Sequence, residues 1–129
     1  MLAATGCWGS HVDANVPTPG DFRSFLDRDL RKYFDDARGS TGHRVTAELL
    51  RDGPTQSGVS YPKFYAWVTV NGGRSADDRG AVRLAAVEKL RFEITDFLSE
   101  TFLRANPEAM NQVFPREVCE RIAAKLDPN

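Results

Sequence analysis

Between Tyr61 and Trp67 the chain reads Tyr-Pro-Lys-Phe-Tyr-Ala-Trp, and every second residue there can recognise a ligand. Tyr61, Tyr65 and Trp67 offer flat faces, phenols and an indole N–H, and Lys63 adds a cation. Rings of this kind anchor binding surfaces. On a strand these four side chains share one side, while Phe64, Ala66, Val68 and Val70 share the other. The second set is aliphatic enough to be core. The first set forms a candidate binding surface, set against the alternative that Tyr65 and Trp67 pack beneath the C-terminal helices.

Other reactive residues are scattered. Glu88 holds an inward position if residues 81–95 form a strand, where burial would raise its pKa. A bulge that turns it out to water is the competing reading. His43 ends the loop Gly39-Ser40-Thr41-Gly42-His43, where a solvated imidazole is expected, and no strained nucleophile elbow surrounds Ser40. His11 and Asp13 could touch a metal, but two ligands are not a site. Asp77-Asp78 reads as loop solvation. No catalytic residue, metal site or cofactor motif is assigned.

Two short stretches resemble known motifs. Lys63–Val70, "KFYAWVTV", is similar to the first ribonucleoprotein motif of RNA-recognition domains. That resemblance implies Lys63 on phosphate, with Tyr65 and Trp67 stacked on bases. Phe64 stands where that motif has Gly, and Val70 where it has an aromatic. "LAATGC", Leu2–Cys7, resembles the end of a bacterial lipobox, which implies Cys7 as a lipid acceptor and an envelope address. Otherwise the expected address is cytoplasmic, and any membrane association would run through that anchor.

The elements that must position these residues follow from periodicity. Residues 1–20 read as a tether rich in Pro, Gly and Asn, and 21–129 as a single domain. Within Asp21–Ala37, Phe22, Phe25, Leu26, Leu30, Tyr33 and Phe34 recur at helical spacing, with Thr18 as N-cap, Pro19 in the first turn and Gly39 as the stop. Val45, Ala47 and Leu49 alternate as a strand, and the aromatic stretch is a second strand that opens at Pro62. Val82, Leu84, Ala86, Leu90, Phe92, Ile94 and Leu98 all fall on even numbers. That predicts one long strand over 81–95, bent near Glu88-Lys89. Short helices follow, capped at Ser99 and opened by Pro107 and Pro115, with Val118, Cys119, Ile122 and Leu126 as the last buried stripe.

The fold class is therefore α+β: an N-terminal helix on a three-stranded antiparallel sheet of long strands, closed by short helices. Long strands around one helix would make a cystatin-like or NTF2-like layout. The alternative, with 77–90 helical, is ferredoxin-like. The chain has 129 residues, 41% hydrophobic and 27% charged, with a net charge of −1. That balance excludes global disorder and argues against nucleic acid as the main partner. These features point to a non-catalytic binding or accessory domain for a protein or small ligand, tethered to a bacterial envelope if Cys7 is lipidated. Single-stranded RNA binding through the aromatic strand and a small enzyme built around Glu88 are the alternatives.

Overall fold

A computed structural model of the chain describes residues 14–127; Cys7, His11 and Asp13 lie outside them. Helix α1, Pro19–Arg38, opens at Thr18 and closes at Gly39, whose φ of 69° is the left-handed turn that glycine adopts without strain. Thr18 holds its cap position without bonding a backbone amide, its hydroxyl donating instead to the Asp21 carboxylate. Four strands follow: β1 (Val45–Leu49), β2 (Lys63–Val70), β3 (Arg79–Val87) and β4 (Arg91–Ser99). They pair in chain order as an antiparallel meander. Helix α2 (Glu100–Ala105), a 3-10 turn at Pro107–Ala109, α3 (Met110–Val113) and α4 (Arg116–Leu126) complete the chain.

The sheet has four strands, not three. The predicted single strand over 81–95 is a hairpin, with β3 and β4 joined by Glu88, Lys89 and Leu90. Glu88 and Lys89 take φ of 56° and 62°, and the Leu90 amide closes the turn on the Val87 carbonyl. Glu88 is accordingly exposed at a turn and has no inward position.

A bulge does occur, but further on. Arg83 faces Asp96 and Leu84 faces Ile94, so Thr95 is the extra residue. Its hydroxyl bonds the Arg83 carbonyl and accepts from the Arg83 guanidinium, satisfying groups the ladder leaves open. One extra residue exchanges the faces of everything after it. Phe92, Ile94 and Phe97 therefore serve one side, and Leu98 the other.

Both faces of the sheet are covered. On the first, Leu26, Leu30 and Phe34 of α1 meet Phe64, Ala66, Val68, Val70, Val82, Leu84 and Ala86. Helix α1 comes nearer to the backbones of the edge strands β1 and β4 than to those of the central pair, so the sheet curls around it. On the second face, Tyr65, Trp67 and Ala81 lie beneath Leu103, Phe114, Val118, Cys119 and Ile122. Helix α4 is tied to the sheet side by Lys125–Glu48 and Arg51–Glu117 ion pairs. At the start of β3, Gly80 has no room for a side chain, since a Cβ would fall 2.4 Å from the Leu98 carbonyl. That close approach brings Ser99 to where its hydroxyl caps α2 by accepting from the Phe102 amide at 3.1 Å.

Candidate functional site

The aromatic strand divides as its alternation requires, but its second face is not open. Tyr65 is 4% exposed and Trp67 7%. The Tyr65 ring sits edge-on to Phe114 with centroids 6.0 Å apart, and its hydroxyl lies 2.5 Å from that of Thr55. Thr55 in turn exchanges two backbone hydrogen bonds with Lys63. The rings thus pin the loop between β1 and β2 and floor the C-terminal helices. Rings so covered have no face free for a base, so the stacking arrangement implied for Tyr65 and Trp67 is absent. Tyr61 is exposed, and the Lys63 ammonium folds back onto the Tyr61 carbonyl at 2.8 Å. Of the four candidate residues, only Tyr61 and Lys63 reach solvent as neighbours.

His43 departs from expectation in the opposite direction. It is buried, and its ring Nδ1 lies 2.6 Å from Asp35 Oδ1, which also accepts the His43 amide at 3.2 Å. The hydrogen bonds from His43, the ring bond foremost, hold the Asp35 carboxyl below its usual range. The pair borders a polar cleft of about 500 Å³ that also meets Arg28, Arg31 and Arg44. Among the described residues no hydroxyl or thiol bonds the imidazole, so the pair has no nucleophile to activate. It fastens the loop after α1 to the helix. Asp78, read as solvated, pairs with Arg38 at 2.8 Å and fastens the same helix end to the β2–β3 loop.

Cys119 is buried, its Sγ within 3.4 Å of the Met110 and Phe114 carbonyls. Burial pushes its thiol up, away from the reactive thiolate. Among the described residues no three His, Cys, Asp or Glu side chains converge on a metal position, and no helix is long and apolar enough to cross a membrane.

A larger concavity than the His43 cleft lies at the end of the sheet where α1 begins. It measures about 710 Å³, within the usual range of small-molecule sites. Its floor is the half-buried Phe22 ring, packed edge to face at 5.0 Å on Phe64, which is itself only 3% exposed, and Leu49 continues it along β1. Val16 to Pro19 make one wall, Gly53-Pro54 another, and Lys89 on the hairpin turn the rim. Two hydrogen bonds hold the rim in place. The Lys89 amide donates to the Asn15 carbonyl at 2.8 Å, and the Glu88 amide to the Asn15 side chain at 3.1 Å. Sequence reading placed Phe22 and Phe64 in the core and left the cleft unseen. Its lining comes from six separated stretches of chain, so no contiguous motif marks it.

In comparisons with known proteins, no family model matches the chain, and neither a curated protein nor a solved structure does.

Proposed function

We propose that the chain is a non-catalytic binding domain that takes a small, largely apolar ligand into the cleft between the start of α1 and the end of the sheet. One observation carries this reading: an open concavity of about 710 Å³, floored by the half-buried Phe22 ring at the edge of the core under α1. Apolar surface left facing water at a concave site is the common mark of a ligand pocket. The finer fold belongs to the same proposal. The curl of long antiparallel strands around α1 supports a cystatin-like or NTF2-like layout, which sets a cleft at the mouth between helix and sheet. An envelope address rests on "LAATGC" alone, and Cys7 lies outside the described residues.

The test uses N-phenyl-1-naphthylamine, an uncharged fluorophore that brightens in apolar surroundings. Saturable uptake by the wild-type chain, lost in Val16→Trp, is the expected result. Val16 sits half-buried at the wall, so a larger ring there fills the cleft from its mouth, and a thermal melt of the variant verifies its fold. No saturable uptake by the folded wild type overturns the reading.

A further inference from the structure

We infer that the ligand of this cleft is an anionic amphiphile of the fatty-acid class, its chain laid on Phe22 and Leu49 and its carboxylate held by Lys89. The inference rests on the cleft being a binding site. Three observations lead to it. Among the described residues lining the cleft, Lys89 is the one that carries a charge and none is a carboxylate. A site with apolar walls and one cation selects a chain with one anionic end. Moreover, the Lys89 ammonium has no carboxylate partner among the described residues, whereas its neighbours Arg28 and Arg91 are paired with Asp29 and Glu93.

The third observation is conformational. A turn whose two central residues both have positive φ ordinarily takes Asn-Gly or Asp-Gly, and here it takes Glu88-Lys89. A long side chain at such a position strains the backbone. Its stem starts from a turn anchored on both amides to Asn15, immediately before the wall of the cleft. The anchored turn therefore fixes where the Lys89 side chain leaves the backbone. Two acids bear on the same mouth. Glu88 is adjacent but does not line the cleft, and Asp21 in the first turn of α1 accepts a hydrogen bond from Thr18. Neither is among the residues that line the cleft.

The experiment displaces bound N-phenyl-1-naphthylamine with dodecanoate, dodecanol or dodecylammonium, each below its micellar concentration. Dodecanoate should displace most tightly and dodecylammonium least. Lys89→Met should weaken dodecanoate about fivefold, the size of one surface charge pair, and leave dodecanol unchanged. Lys89→Gly, which relieves the turn, should show the same loss with an unchanged or higher melting temperature. Equal displacement by acid and alcohol, or undiminished dodecanoate binding in both variants, overturns the head-group inference while the cleft stands. Displacement by none of the three overturns the amphiphile inference, while the loss of uptake in Val16→Trp still decides the cleft.

Discussion

Asp29 on α1 accepts the backbone amide of Phe92 on β4 at 2.7 Å, so a helix side chain supplies what the edge strand has no neighbour to provide. Beside it Arg28 binds the Asp29 carboxylate and donates to the Leu90 carbonyl at 2.7 Å. Two adjacent helix residues therefore hold the hairpin that carries Lys89. An unpaired amide at a buried residue is expensive, which makes this join a test of the packing described above.

Asp29→Ala should cost about 1–3 kcal/mol in a urea titration, because it leaves the Phe92 amide without a partner. Asp36→Ala, which removes an exposed pair with Lys32 one turn further on, should stay within about 0.5 kcal/mol. Equal effects would mean that Asp29 acts only as another surface charge.

Trp67→Ala should destabilise the fold by about 3–5 kcal/mol, as much as a truncation in the first core such as Leu26→Ala. Trp67 lies between Glu48 and Ala81 in the sheet and is roofed by the C-terminal helices. A thermal melt within a degree or two of wild type would show that α4 does not close that face.

Glu100 sets an acid limb. It is 5% exposed and lies between Arg79, at 2.8 Å, and Arg104, at 2.9 Å. The Arg79 hydrogen bond above all, then Arg104, holds its carboxyl below the usual glutamate range, against the desolvation that would raise it. A depressed pKa contributes stability that is present above the unfolded-state value and lost as pH falls through the folded-state value. Glu100→Gln should therefore lose about 1–3 kcal/mol at neutral pH, and its stability should fall less steeply in acid, the two curves converging there. Asp35, also depressed, has the same sign, so the variant keeps part of the acid loss. Parallel curves for variant and wild type would remove Glu100 as a source of that limb.

Lipidation at Cys7 is tested with labelled palmitate in growing bacterial cells expressing the gene with its upstream codons. The wild type should take label and Cys7→Ser should not. Equal label in both, or label in neither, ends the envelope proposal.

Helix α1 was legible because its six apolar positions, Phe22 to Phe34, repeat at one helical face over more than three turns, with start and stop residues at its ends. The hairpin was not, for a geometric reason. Its connection has three residues, an odd number, so partners such as Ala86 and Phe92 have the same parity and the period of two runs through the turn unbroken. Glu88-Lys89-Leu90 also contains none of the residues that usually announce a turn. The bulge at Thr95 then hid the reversal for Leu98. For the aromatic strand, alternation separated Phe64 from Tyr65 correctly. What covers the second face depended on where α4 returns, which no local pattern encodes. The buried pairing of His43 was out of reach for the same reason, since Asp35 lies on the helix and His43 beyond the loop.

The strand order has a kinetic consequence. Each strand pairs only with its neighbour in the chain, so no partner must be found across an intervening strand. The sheet can grow by successive closures of short loops, each with a small entropic cost. Topologies of such low contact order fold fast for sheet proteins, since native pairing is rewarded before long segments have to be brought together. The longest closures join Glu48 to Lys125 on α4, 77 residues apart, and Asn15 to Glu88, 73 apart, so seating the helical segments on the two faces costs more loop entropy than any strand pairing.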